Sequence, residues 1–174
     1  MARRAVILVG HGAAAKDCPR ELVSRLKALE GRRLSTGGHP TAPTAPTVEE
    51  QDLDARIRHW PRTADNDPYR AGLEALASAL RPLLGDAALF LAYNEFCAPT
   101  LEEAVTAAIA EGAAEIVVVP SMTTPGGVHS EVEIPEMIER IRLAHPSVAL
   151  RYAWPFQLGE IAQLFAKHLG RFGV

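Results

Sequence analysis

The stretch from Val117 to Pro135, VVVPSMTTPGGVHSEVEIP, constrains this chain more than any other. It starts inside an apolar run, Ile116 to Val119, with the character of a buried strand, and passes through a Pro- and Gly-rich loop to His129. Glu131 and Glu133 follow, and Pro135 is placed to open a helix. A histidine so placed sits at the carboxyl end of a strand, where open α/β sheets hold their ligands. The counterpart lies near the start: Ala5 to Val9 is apolar throughout and ends in Gly10-His11-Gly12. Two strands of one type thus each deliver a histidine at their exit.

Strand and helix patterns alternate around these runs. Pro19 to Leu29 carries Leu22, Leu26 and Leu29 at helical spacing, and Gly31 is placed to end that helix. Asp67-Pro68 pairs an N-cap with a proline at the first helical position. It predicts a helix to Leu80 or Leu83, with Leu73, Leu76, Leu80 and Leu83 as one buried stripe. Ala88 to Ala92 reads as a strand leaving into Tyr93-Asn94-Glu95, and Thr100 with Glu103 forms a capping box for a helix ending at Gly112. Pro135 to Ala144 is the next helix, Val148 to Ala153 the fourth strand and Gly159 to Leu169 the last helix. The crossovers are too long for hairpins. The expected fold class is therefore α/β, an open parallel four-stranded sheet with helices on both faces.

At 174 residues, 48% of them hydrophobic, residues 1–174 are expected to form a single domain with an ordinary core. The formal charge of -3 gives no basic surplus, so no nucleic acid is expected as a partner. Cys18 and Cys97 lie in different segments without CxxC spacing, which indicates neither a disulfide framework nor a cysteine zinc site. The opening apolar run stops at Gly10-His11, too short for a signal peptide, and no run reaches membrane-spanning length. A soluble, cytoplasmic protein with no membrane partner is the expectation. Arg32 to Thr47 is of low complexity and is expected as a mobile or extended surface loop. Val48 to His59 reads as a short charged helix, stopped by Trp60-Pro61.

Six histidines are present. His39 sits in the low-complexity run, His59 and His168 at helix ends and His145 before a proline, positions that exposure or a favourable helix-dipole contact explains. His11 and His129 differ, because they follow buried strands and have glycines beside or near them that admit close approach of a ligand. Imidazole, with a reference pKa of about 6.5, can accept a proton or bind a divalent first-row metal near neutral pH. Glu95 leaves the second strand at an equivalent exit. Alone it would read as a solvated loop carboxylate; with the two histidines it makes a set suited to Fe(II), Co(II) or Ni(II) with open positions. Glu131 and Glu133 read as residues that orient these ligands or as acidic residues favouring the start of a helix. Alternatively, Gly10-His11-Gly12 and Gly126-Gly127 cradle a phosphate, although neither fits a nucleotide-binding motif and GxSxG is absent.

At these residues the sequence resembles the class II tetrapyrrole chelatases, specifically the sirohydrochlorin cobalto- and ferrochelatase family in its short, single-unit form. The resemblance lies in Val6 to Gly12, in Asn94 to Ala104 (NEFCAPTLEEA) and most specifically in Val117 to Pro135, with Gly126-Gly127-Val128-His129 and Glu133-Ile134-Pro135. It implies a chelatase-like fold with a cleft above the strand ends. It also implies a lyase that inserts Co2+, Fe2+ or Ni2+ into a sirohydrochlorin-type tetrapyrrole in cobalamin or siroheme formation, without ATP or an organic cofactor. His11 and His129 take the metal-handling or proton-accepting roles, assisted by Glu95, and a homodimer completes the cleft. Ala13, Ala14 and Ala15 stand where the family usually has a serine and a basic residue. The segment 32–66 looks inserted relative to short family members, as a lid or as a carrier of Arg56, Arg58 and Arg62 for substrate carboxylates; a solvated charged helix is the plainer expectation. A non-catalytic metal-binding or tetrapyrrole-carrying protein on the same fold is the rival reading.

Overall fold

A computed structural model describes residues 3–36 and 45–173 of the chain; His39 and the middle of the low-complexity run lie outside the described residues. Among the described residues four parallel strands form one sheet, β1 (Arg3–Gly10), β2 (Ala88–Tyr93), β3 (Ala113–Pro120) and β4 (Ala149–Tyr152), in the order β2-β1-β3-β4. β1 occupies the middle because it is apolar on both faces: Ile7 and Val9 pack into one layer and Leu8 into the other. Its exit is level with those of its neighbours, since Gly10 pairs with Tyr93 and Val9 with Pro120. The residues that follow therefore leave the sheet along one edge.

Helices α1 (Arg20–Thr36), α2 (Val48–Arg58), α3 (Pro68–Leu80), α4 (Leu101–Ala110), α5 (Ile134–Ala144) and α6 (Leu158–Leu169) complete the α/β fold. Leu101, Val105 and Ala108 of α4 and Ile134, Ile138 and Ile141 of α5 cover one sheet face. The expected capping box starts α4, with Thr100 accepting from the Glu103 N–H and Glu103 from the Thr100 N–H. α3 covers the other face over β1 and β2. Asp67 caps it by accepting from the Arg70 N–H at 2.9 Å, and Pro68 opens it, as expected. Its leucine stripe is narrower than predicted. Leu73 and Ala77 are buried and Leu80 packs beside them, but Leu76 is 50% and Leu83 79% exposed. At 3.6 residues per turn the face through 73, 77, 80 and 84 is the straight one, and 76 and 83 fall to its flank.

α1 runs through Gly31, which the sequence placed at its end. One interior glycine costs only about 1 kcal/mol, and the helix gains more by packing on α2. Leu26, Leu53 and Ile57 are buried between the two helices together with Ala15 and Cys18, each large side chain contributing about 1.5–3 kcal/mol. α2 thus buries one face, Leu53 and Ile57, against α1 and leaves half of its charged residues exposed. Thr47 and Glu50 form a capping box at its start, and the buried Glu50 carboxylate accepts from Arg33 Nε at 2.9 Å. α6 stands apart: none of its residues is buried.

Candidate metal centre

The Gly-His-Gly turn is shaped by what crowds against it. A Cβ on Gly10 would lie 2.6 Å from Leu73 Cδ2 and 3.2 Å from the Tyr69 ring, so α3 can pack directly on the strand end. The Tyr69 hydroxyl accepts the His11 N–H at 2.7 Å. Gly12 has a φ of 91°, and a Cβ there would overlap the carbonyl oxygen of Glu95. Both glycines therefore admit protein neighbours, not the ligand that the sequence led us to expect. The approach locks the β1 and β2 exits together, with the Glu95 N–H donating to His11 O at 2.8 Å and the Asn94 N–H to Gly10 O at 2.9 Å.

His129 opens a π-helical turn, His129–Glu133, that leads into α5. The turn sets Glu133 under the imidazole, with Glu133 Oε2 2.7 Å from His129 Nδ1 and 2.7 Å from Asn94 Nδ2. Asn94 Nδ2 also lies 2.9 Å from His129 Nδ1, but the carboxylate can accept from both nitrogens, which assigns a proton to Nδ1 and leaves Nε2 to a ligand. The reverse setting of the Asn94 amide would put oxygen against oxygen. His11 Nδ1 likewise lies 2.8 Å from Gly12 O, a carbonyl that can only accept. Both imidazoles thus present Nε2 as the free ligand atom. Burial pushes the Glu133 carboxyl up, but the bonds from His129 and Asn94 and the nearby imidazoles outweigh it and hold the group below the usual carboxylate range. Glu131 is different: its Oε1 accepts the Gly126 N–H at 2.7 Å and closes the loop. That N–H is consequently not presented to a phosphate, which removes one support of the phosphate alternative.

The three predicted site residues come together. Ligand atoms of His11, Glu95 and His129 all lie within 4.8 Å of one another, and the two rings meet edge to face at 4.6 Å between centroids. All three are partly exposed, so an ion can enter and leave. Two imidazole nitrogens and one carboxylate within that reach suit a divalent first-row ion. On the side of α1, burial raises the Glu30 carboxyl, and the charges of Glu95 and Asp54 raise it further against Lys27 and Arg33. His59 and His145 stand at the ends of α2 and α5, and His168 in the last turn of α6, all away from this set.

The sequence profile of the CbiX family matches residues 64–168. The chain belongs to the CbiX family. Among curated CbiX relatives, a sirohydrochlorin cobaltochelatase of Priestia megaterium is 33% identical over 70 residues, 40% of this chain and 22% of that protein. A sirohydrochlorin ferrochelatase of the same organism is 32% identical over 68 residues, 39% of this chain and 25% of that protein. The matches thus span a quarter or less of those relatives. A solved structure of SirB from Bacillus subtilis with Fe3+ superposes with a TM-score of 0.58 at 20% identity, over 99% of this chain and 48% of that one. A cobalamin (vitamin B12) biosynthesis CbiX protein from Marinobacter aquaeolei VT8 superposes with a TM-score of 0.52 at 22% identity, over 98% of both chains. These likenesses establish the chelatase-like fold that the sequence resemblance implied.

Of Arg56, Arg58 and Arg62, which the sequence offered as one option for meeting substrate carboxylates, Arg58 and Arg62 turn to carbonyls and carboxylates of the protein itself. Arg58 Nη1 donates to Cys97 O at 3.1 Å and its Nη2 to Asn94 O at 3.0 Å, while Nε pairs with Asp54 at 2.6 Å. The Arg62 side chain is 2% exposed and pairs with the equally buried Asp67. It donates to Ala13 O at 2.6 Å and Ile57 O at 3.1 Å, and also to Phe96 O. Phe96 holds a φ of 57° directly after Glu95, a conformation a non-glycine residue keeps only under external restraint. Arg58 and Arg62 supply that restraint, gripping the loops that carry Glu95 and His11. Arg56 alone is exposed, paired with Asp52. Sequence reasoning missed this grip, because arginine signals charge and says nothing of which carbonyls it reaches.

Proposed function

We propose that this chain is a sirohydrochlorin-type chelatase, a lyase that inserts Co2+, Fe2+ or Ni2+ into a tetrapyrrole without ATP. The carrying observation is the convergence of His11, His129 and Glu95 with both Nδ1 atoms already engaged. The ion is substrate. His11 and His129 hold it through Nε2 with Glu95 beside them, leaving coordination positions open to the macrocycle nitrogens. Two pyrrolic protons leave for each divalent ion that enters, and Glu95 and the imidazoles accept them as the ring takes the ion. Exposed Val128 and Val132, on and beside the turn that bears His129, offer apolar surface to a flat macrocycle. Family membership and the names of the two curated relatives support the same reaction.

A cytoplasmic location, a homodimer, and a single domain over residues 1–174 with an inserted segment at 32–66 belong to the same proposal. No described helix is long and apolar enough to cross a membrane. The test follows the absorbance of anaerobic sirohydrochlorin with Co2+, Fe2+ or Ni2+ added separately, using the intact chain and the His11→Ala and His129→Ala variants. The expected result is acceleration over the uncatalysed rate that both substitutions abolish. Metal or tetrapyrrole binding with no acceleration by the intact chain would replace the chelatase reading with a carrier.

A further inference from the structure

The chain has two tryptophans, and the fold accounts for only one of them. Trp60 packs against the cluster between α1 and α2, and its indole N–H donates to Asp17 Oδ1 at 3.2 Å. Trp154 joins none of the three hydrophobic clusters, and among the described residues its indole N–H has no hydrogen-bond partner. Its ring meets Phe156 edge to face, at 5.7 Å between centroids, and both side chains are partly exposed. A tryptophan with an apolar face open and its donor free has the make-up of a binding surface, since a core would satisfy the N–H.

The sheet register carries this pair to the edge that holds the candidate metal centre. Val118 pairs with Tyr152, and the Ala153 N–H still donates to Val118 O at 2.8 Å, so β4 keeps its pairing up to Trp154. Continued by two residues, the register sets Trp154 level with Pro120, which is itself level with Val9 and Ala92 at the strand ends. His11 and Glu95 follow from that row. Alternate residues of a strand share a face, so Trp154 succeeds Leu150 and Tyr152 on the side that α5 covers. There the Tyr152 hydroxyl donates to Ser130 O at 2.9 Å, fastening β4 to the turn that carries His129, with exposed Val128 and Val132 beside it.

We propose that Trp154, backed by Phe156, is the outer wall of the tetrapyrrole site and stacks on the macrocycle while the ion sits at His11, His129 and Glu95. The ligand rests on the chelatase reading; the wall adds a binding residue to that site. β4 lies two places from β1 in the sheet, about 10 Å, so a ring whose nitrogens face the ion extends past β3 toward the β4 exit. The valines of the His129 turn give such a ring narrow apolar contacts. An indole gives it a broad, rigid face, and the edge-on Phe156 ring limits how that face can turn. The free N–H then stands ready for a carboxylate arm at the rim of the ring. One side chain thus meets both features of the ligand class, a flat conjugated face and an acidic periphery.

The full chain and metal-free sirohydrochlorin, kept anaerobic, test it. Trp154→Ala is expected to raise the sirohydrochlorin dissociation constant roughly 10-fold, with Trp154→Phe in between because it keeps a ring and loses the donor. In turnover with Co2+ the loss should fall on KM and spare kcat, since stacking serves substrate and transition state alike. Affinity for Co2+ alone should be equal in wild type and both variants, which leave the ligand set intact. A second measurement leaves Trp154 in place. Chains labelled with fluorotryptophan give two fluorine resonances, assigned with Trp60→Phe, and the ring current of bound sirohydrochlorin should shift that of Trp154 and not that of Trp60. A wild type that does not bind sirohydrochlorin, a dissociation constant indifferent to Trp154→Ala, or a Trp154 resonance unmoved at saturation would overturn the wall. Acceleration of metal insertion alongside either of the last two results would leave the chelatase reading standing without the wall. Binding that depends on Trp154, with no acceleration, would leave the wall standing without the chelatase.

Discussion

Gly12 carries the tightest steric constraint in the site. Its positive φ disfavours any side chain, and the Glu95 carbonyl occupies the place a Cβ would take. Gly12→Ala is expected to cost roughly 2–4 kcal/mol, combining left-handed strain with overpacking against backbone. Denaturant melts read the loss, and a weakened affinity for Co2+ would accompany it as the Glu95 loop shifts. Glu133 acts through another residue. It touches no reacting atom in the proposed chemistry but fixes the proton of His129 on Nδ1. Glu133→Gln is expected to weaken Co2+ affinity about 10–100-fold, the usual effect of removing a group that orients a ligand, while titration calorimetry still finds one site. An unchanged affinity would leave Glu133 with a structural role only. His11, His129 and Glu95 were legible in the sequence because each follows a strand at the same sheet edge. Asn94 and Tyr69 were not, since their roles depend on which atoms face each other across different elements.

Arg62 joins elements that the sequence keeps far apart: it reaches Ala13 after β1, Phe96 after β2 and Asp67 at the start of α3. Replacing it with alanine leaves Asp67 as a buried, unpaired carboxylate, a loss of about 3–5 kcal/mol. Arg62→Lys is more informative, because it keeps the charge and cannot span the same carbonyls. It is expected to retain the fold with a lower melting temperature and to weaken Co2+ binding. Full metal affinity in a destabilised Arg62→Lys protein would confine the arginine to stability. A second tie runs from β4 to the π-helical turn, where the Tyr152 hydroxyl donates to Ser130 O at 2.9 Å. Burial pushes that phenol up to about 12, and the charge of Glu131 adds to it against the Ser130 bond. The folded state then holds the proton more tightly than the unfolded chain, so this contribution is complete below about pH 10 and lost as pH rises through about 12. The gap in stability between wild type and Tyr152→Phe should accordingly close over that window in denaturant melts. At this scale the sequence predicted strands and caps well, because apolar runs, Thr100 with Glu103 and Asp67-Pro68 act locally. It did not show the buried face of α2 and misjudged the α3 stripe, whose burial is decided by neighbours remote in the chain.

The whole fold was legible from the alternation of strands and helices, since parallel order follows from crossover length alone. What the alternation did not convey is that the helical layers are unequal: α4 and α5 complete one face, α3 half of the other, and α6 neither. The candidate metal centre lies instead at the edge where the strands end. None of its three candidate residues belongs to the core, and they follow three separate strand exits. Assembling such a site requires the folded sheet, so an ion binds the native state far better than the unfolded chain, and its binding free energy adds to stability. At a Co2+ concentration about 100 times the dissociation constant the gain is about 2.7 kcal/mol. For a chain of this size each kilocalorie shifts the melting temperature by roughly 2–4 °C, giving an expected rise of about 5–10 °C. Thermal melts of wild type and of His11→Ala with His129→Ala, with and without Co2+ and then with excess chelator, measure it. The rise should vanish in the double variant and reverse with chelator in the wild type. A rise of equal size in the double variant would place the ion elsewhere, because stabilisation linked to binding cannot outlast the ligands that bind.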